Sequence, residues 1–324
     1  MTNDTQTNLP PALIVAGPTC SGKSALAMAI AETVGGVVIN ADSMQVYREL
    51  RLLTARPTPA DEVRVPHRLY GVRPAACAGS VAWWRAVALP EMERARDSGR
   101  LPILCGGTGL YFHALTHGVS ELPAVGEAAR SEARRFLAEC GPAALHAALT
   151  KVDPATAARL RPADSQRVAR AWEVWRETGR GLAAWQGRTT GPAPWRFAAI
   201  LLDPPRDALR AAISGRFAAM LEAGALDEVR ALLALDLDPA LPAMRAHGVP
   251  ELSAYLRGEI SLADAARRAA LVTGQYTKRQ ATWFRHHVLA PPDLSNTIPA
   301  RITGHTQFSE RNMADMFSFI RHLG

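Results

Sequence analysis

Gly17-Pro18-Thr19-Cys20-Ser21-Gly22-Lys23-Ser24 sets two glycines, a lysine and a hydroxyl at the spacing G-x-x-x-x-G-K-[ST]. Those residue types suit one task, the holding of phosphate. Glycines let backbone N–H groups close around phosphate oxygens with no Cβ in the way. Lys23 adds a full positive charge, and the Ser24 hydroxyl is placed to hold Mg²⁺. The apolar run from Ala12 to Ala16 reads as a strand entering the loop. The Ala-, Leu- and Met-rich stretch from Ala25 to Thr33 reads as a helix leaving it, with the positive end of its dipole aimed at the anion. In that context the chain is expected to bind a phosphorylated ligand through Gly17, Pro18, Thr19, Cys20, Ser21, Gly22, Lys23 and Ser24.

Two more segments carry polar groups at the end of an apolar run. Val37-Val38-Ile39 reads as a buried parallel strand, and Asp42 lies just past its C-terminal end. A carboxylate there could accept a proton from a nucleophile, hold Mg²⁺ through water, or simply cap the next helix. Leu101 to Cys105 reads as another strand, ending in Gly106-Gly107-Thr108, where the glycines allow close backbone approach and Thr108 offers a hydroxyl. In a parallel sheet all three loops fall at the carboxyl edge, where ligands bind.

The elements that must position these loops follow from pattern. Residues 1–11 read as a loose tail, and 12–115 alternate strands and helices as βαβ units do. Tyr47 to Arg68 is rich in Arg and Pro and reads as loops over the ligand edge. From 116 to 194 the strand signal disappears; Ala, Leu, Arg and Trp dominate, broken at Gly141-Pro142, Asp153-Pro154 and Arg161-Pro162. This is a helical insertion. Trp195 to Leu202 then reads as a strand returning to the sheet, with helices through about His287, so 195–290 completes the core. Residues 291–324 read as a polar, irregular tail with no assigned role. Within the insertion, Asp164 or Ser165 caps a helix that stops at Gly179. Val168, Trp172 and Trp175 form its apolar stripe, read as core; Gln166, Arg167 and Arg170 fall on another face.

The 324 residues carry a net charge of +7, which suits a polyanionic partner, and 48% hydrophobic against 21% charged residues, which suits a globular enzyme. Four cysteines show no C-x-x-C pairing, no run reaches membrane-spanning length, and the first ten residues hold no apolar signal. The expectation is a cytoplasmic protein, away from membranes, acting as a monomer. No zinc-ligand spacing links His67, His247 and His286-His287.

GPTCSGKS, DSMQVY, Thr54-Ala55-Arg56-Pro57, Pro66-His67-Arg68-Leu69 and GGTGLY occur in the order found in tRNA dimethylallyltransferases. Asp164-Ser165-Gln166-Arg167-Val168-Ala169-Arg170 and Lys278-Arg279-Gln280-Ala281-Thr282-Trp283-Phe284-Arg285 also resemble that family. Departures are Leu53 for a glycine, Arg56 for a lysine, and His247 with Val249-Pro250 where many members carry Gly-Tyr. The resemblance implies an α/β fold: a P-loop NTPase-like parallel sheet flanked by helices, with an inserted all-helical tRNA-binding domain. It implies that the phosphate loop holds dimethylallyl diphosphate with Mg²⁺, and that the acceptor is N6 of the adenosine at position 37, in the anticodon stem-loop of tRNA. Asp42 would be the base and Thr108 a donor to the bridging oxygen of the leaving group. Lys23 and Arg216, in a segment resembling one with a diphosphate-binding arginine, would meet the leaving charge. Asp42, Ser43, Met44, Gln45, Thr108, Arg130, Gln166, Arg167, Val168, Ala169 and Arg170 would meet tRNA.

Residue chemistry alone leaves alternatives open. A small-molecule kinase would use the same loop with ATP, and an RNA-binding NTPase would use it to gate a binding cycle. Arg216 also fits a helix surface, and Gln166, Arg167 and Arg170 also fit a solvated face.

Overall fold

The structure, a computed structural model, describes residues 9–185 and 189–303. Six strands, β1 (Pro11–Ala16), β2 (Val37–Asn40), β3 (His67–Arg68), β4 (Pro102–Gly106), β5 (Arg196–Leu202) and β6 (Ser295–Ile298), form one sheet in the order β3-β2-β4-β1-β5-β6. Every neighbouring pair is parallel. Eleven helices accompany them among the described residues: α1 (Lys23–Val34), α2 (Pro59–Arg64), α3 (Val81–Asp97), α4 (Gly109–Thr116), α5 (Glu127–Val152), α6 (Pro154–Ala157), α7 (Ser165–Thr178), α8 (Arg206–Glu222), α9 (Ala225–Leu233), α10 (Val249–Leu256) and α11 (Leu262–His286).

The central strands are apolar on both faces because both are covered. Side chains alternate along β1, so Leu13 and Val15 pack with Leu26, Ala27 and Ile30 of α1, while Ala12, Ile14 and Ala16 join the layer holding Trp84 and Phe112. Register sets the ligand edge. Ala16 lies beside Gly106 and Leu201, and Asn40 beside Cys105. The loops that follow β1, β2 and β4 therefore leave the sheet at one level, bringing the phosphate loop, Asp42 and Thr108 to one edge.

Two short edge strands depart from the expected loops. β3 lies within the Arg- and Pro-rich stretch and pairs with Val38 and Ile39. β6 lies in the expected irregular tail and pairs with Ala199 to Leu202. An edge strand needs partners for one side only, so neither shows an apolar run.

The chain divides into two compact units, 118–192 and the remainder; Thr116, His117, Ala193 and Pro194 of the expected insertion stay with the sheet unit. The smaller unit packs Ala133, Leu145, Leu149, Val168, Ala171 and Trp172 into its own core. Phe136 meets Trp172 edge-on with ring centres 5.7 Å apart. Gly141, at φ 77°, bends α5 just before Pro142. Asp164 caps α7 by accepting from the Arg167 N–H, and Gly179 closes it in the left-handed conformation. No helix among the described residues is long and apolar enough to cross a membrane.

Candidate active site

The phosphate loop turns through two left-handed residues, Cys20 at φ 66° and Gly22 at φ 92°, and closes with the Ser21 N–H donating to the Pro18 carbonyl at 3.1 Å. Lys23 opens α1 and is only 9% exposed, its Nζ 3.5 Å from the Pro18 carbonyl. A charge so buried needs an anion or oxygen partner close by. Gln280 of α11 fixes the loop from the far side. It accepts from the Thr19 N–H at 2.9 Å and donates to the Gly107 carbonyl at 2.9 Å, joining the phosphate loop to the Gly-Gly-Thr turn. A Cβ on Gly107 would sit 2.2 Å from the Gln280 amide nitrogen, so a larger residue there would push the Gln280 amide out of the clamp.

Asp42 is held by its own strand end. Buried Asn40 accepts from the Asp42 N–H at 2.8 Å and donates to the carbonyls of Asp42 and Leu69. Asp42 Oδ1 accepts from the Met44 N–H at 2.9 Å, an Asx turn rather than the cap of a helix. Thr108 locks the turn by accepting from the Ser43 N–H at 2.9 Å, and its hydroxyl lies 3.3 Å from Ser43 Oγ. In this state Thr108 therefore faces Ser43.

One cavity of about 550 Å³ collects the chemistry. Thr19, Cys20, Gly22, Lys23 and Ser24 line it with Asp42, Gln45 and Arg216, and Leu52, Ala55, Ala219, Met220 and Ala223 add apolar lining. Arg216 Nη1 lies 3.6 Å from Cys20 Sγ, so α8 carries this arginine to the loop rather than to open solvent. Gly17, Pro18, Ser21, Ser43, Met44 and Thr108 do not line the cavity. Ser21 is fully buried. Gln45 spends its amide on the carbonyls of Thr54 and Ala55, shaping the wall rather than reaching outward. Glu228 of α9 accepts from three consecutive N–H groups, Arg51 and Leu52 at 2.7 Å and Leu53 at 2.9 Å, and so fixes the part of the lining that Arg51 and Leu52 supply.

The donor set fits Mg²⁺. Ser24, which is exposed, and Asp42 present oxygens to the same cavity. Mg²⁺ takes few protein ligands beside substrate phosphates, and among the described residues no cluster of three His, Cys, Asp or Glu forms a protein cage.

Asp42 is ringed by groups that stay neutral. Burial, aided by the Asp42 charge, raises Tyr70, Tyr111 and Tyr276 and pushes the Cys105 thiol up to about 11. His247, from a segment where the sequence departs from the family pattern, lies with its ring 4.9 Å from that of Tyr276 and is lowered by burial. Gln280, Glu228, His247 and Tyr276 are not among the expected site residues; Gln280 carries a signal in its place in the Lys278 to Arg285 motif and His247 in a segment that departs from the family pattern, while Glu228 and Tyr276 carry none.

His67, His113 and His247 are all lowered by burial from the ordinary 6.5. Below about pH 6.5 the unfolded chain takes up protons that the folded chain refuses. Stability is thus expected to fall as pH drops from about 7 to 5 and to level off below the folded values. Thermal melts across that range check this; a melting temperature that rises on acidification would contradict it.

In the insertion, Arg130, Gln166 and Arg167 are exposed. Arg167 lies 3.5 Å from Asp164, and Arg170 3.1 Å from Glu173. The Val168 side chain is fully buried in the insertion core, unlike exposed Arg167 of the same motif, and Ala169 is partly buried against that core.

The model of the family described as IPP transferase matches residues 45–287. The tRNA dimethylallyltransferase of Granulibacter bethesdensis is 64% identical over 311 residues, covering 96% of this chain and 98% of that one. That of Gluconacetobacter diazotrophicus is 62% identical, covering 96% and 94%. The solved full-length tRNA isopentenylpyrophosphate transferase of Bacillus halodurans superposes with a TM-score of 0.68 at 31% identity, covering 98% of this chain and 97% of that one.

Proposed function

The chain belongs to the IPP transferase family, and from that premise we propose its reaction: a dimethylallyl group passes from dimethylallyl diphosphate to N6 of the adenosine 3′ of the anticodon in tRNA, and diphosphate leaves. The observation that carries this reading is the single cavity holding a phosphate loop, a carboxylate and apolar lining. The loop N–H groups, Lys23 and Arg216 take the diphosphate. The apolar lining from Leu52, Ala219 and Met220 takes the dimethylallyl chain.

The adenine amine is a weak nucleophile, its lone pair drawn into the ring. As N6 attacks the allylic carbon, the carbon–oxygen bond to diphosphate breaks and the N6 proton passes to Asp42. The charge that develops on the leaving group meets fixed donors and cations. Ser24 would hold Mg²⁺ there, and the ion, when bound, neutralises part of that charge. Thr108 turns its hydroxyl from Ser43 to the bridging oxygen. Pulling the base from its stack costs a few kcal/mol, less in a loop than in a duplex.

Arg130, Gln166, Arg167 and Arg170 contact the anticodon stem-loop, while Asp42, Ser43, Met44 and Gln45 shape the acceptor end. Replacing Arg167 with alanine is expected to weaken tRNA binding and to lower the salt slope by about one counterion. Filter binding across a salt series reads this, and an unchanged slope returns Arg167 to a solvated face. The protein works as a cytoplasmic monomer.

The kinase reading is not favoured. Calorimetry with dimethylallyl diphosphate and with ATP, each with Mg²⁺, separates the two. Binding of the allylic diphosphate supports prenyl transfer; binding of ATP alone contradicts it.

A further inference from the structure

The segment after α11 comes back to the phosphate loop. β6 runs beside β5 to the Leu202–Ile298 pair, and the Asp203 N–H then donates to the Ile298 carbonyl at 3.0 Å. Four residues on, the Ile302 N–H donates to the Ser21 carbonyl at 2.9 Å. Next to it, Arg301 Nε donates to the Cys20 carbonyl at 2.9 Å. Two consecutive carbonyls of the loop are thereby tied from outside it.

Peptide planarity gives this contact a consequence. A trans peptide points its C=O and N–H in opposite directions. With the Ser21 carbonyl turned to Ile302, the Gly22 N–H of the same peptide turns away from the strap, and Gly22 lines the cavity. The fit is close: a Cβ on Gly22 would lie 2.0 Å from the Ile302 carbonyl oxygen, a backbone atom. Ile302 itself is 8% exposed and packs into the layer of Leu26, Ile200 and Leu202.

We propose that Arg301 is a diphosphate-binding residue of this site. Its Nε is committed to the Cys20 carbonyl, which fixes the guanidinium along the loop, and the residue lines the cavity with Lys23 and Arg216. Arg216 approaches Cys20 at Sγ and Arg301 at the carbonyl, so two guanidinium groups flank one loop residue. The remaining Nη donors of Arg301 form a planar fork that matches phosphate oxygens. Arg301 lies beyond the 45–287 stretch that the family model matches. The inference rests on dimethylallyl diphosphate being the donor.

The test is calorimetric titration of the full chain with dimethylallyl diphosphate and Mg²⁺, for the wild type, R301Q and R301K. R301Q is expected to weaken donor binding about ten- to a hundredfold, as loss of charge-assisted bonds does, and R301K to recover part of it. KM for the donor rises while KM for tRNA and the melting temperature hold. Equal donor affinity in wild type and R301Q overturns the proposal. So does a parallel loss of tRNA affinity and thermal stability that R301K does not rescue, which makes the segment a structural prop. A wild type that binds no allylic diphosphate removes the underlying reading and this inference together.

Discussion

Replacing Asp42 with alanine is expected to lower turnover by about a hundredfold or more while leaving dimethylallyl diphosphate binding nearly intact. The two halves of that result have separate origins. The diphosphate partners, Lys23 and the phosphate loop, stand on β1 and α1, and none of the hydrogen bonds that fix them involves the Asp42 side chain. Asp42 instead closes a turn on Met44 and faces the cavity. Its neighbours cannot replace it, because the Tyr70, Tyr111 and Tyr276 hydroxyls and the Cys105 thiol, all raised by desolvation, hold their protons at neutral pH. Asn in place of Asp keeps the turn to Met44 and loses the base, so D42N should share the loss of turnover. Single-turnover kinetics at saturating donor read the chemical step directly. Full turnover in either variant would remove Asp42 from the role of base.

Gly106→Ala is expected to be nearly as damaging for a geometric reason. A Cβ there would lie 2.0 Å from the Ala41 carbonyl oxygen and 2.2 Å from its carbon. Both are backbone atoms, with no side chain to swing aside. Ala41 donates to the Cys105 carbonyl at 2.8 Å and accepts from the Thr108 N–H at 3.2 Å, so these bonds would have to stretch. The end of β2, which carries Asp42, would move by about an ångström relative to the phosphate loop, a displacement worth roughly a hundredfold in rate. Overpacking of this kind costs about 1–3 kcal/mol of stability. The expected signature is a lower melting temperature together with a hundredfold fall in turnover, read by thermal melts and single-turnover assays. Turnover near wild type would mean that the β2–β4 spacing does not set the position of the base.

What was legible in the sequence is what is encoded locally. The strand–loop–helix around Lys23 announces itself by composition and by two glycines. Of the two caps expected for α7, Asp164 is the one that forms, and the helix stops at Gly179 as expected, because both residues act on their immediate neighbours. The clamp of Gln280 on Thr19 joins residues 261 positions apart, and that of Glu228 on Arg51 joins residues 177 apart. Nothing in either segment alone encodes such a meeting. β6 was missed because Ser295 to Ile298 is polar and half exposed, as an edge strand can be. Val168 shows two sequence signals in conflict. Its motif neighbours pointed to RNA, but its helical spacing from Trp172 pointed inward, and the spacing decided where the side chain went.

The central claim is that this cavity alkylates an adenosine of tRNA. Incubating the chain with Mg²⁺, radiolabelled dimethylallyl diphosphate and unmodified tRNA, then locating the label by nuclease digestion, tests it most directly. Label on the adenosine 3′ of the anticodon, appearing about a hundredfold or more slowly with D42A, is the expected result. No label in the RNA, with ATP bound or hydrolysed instead, would contradict that claim.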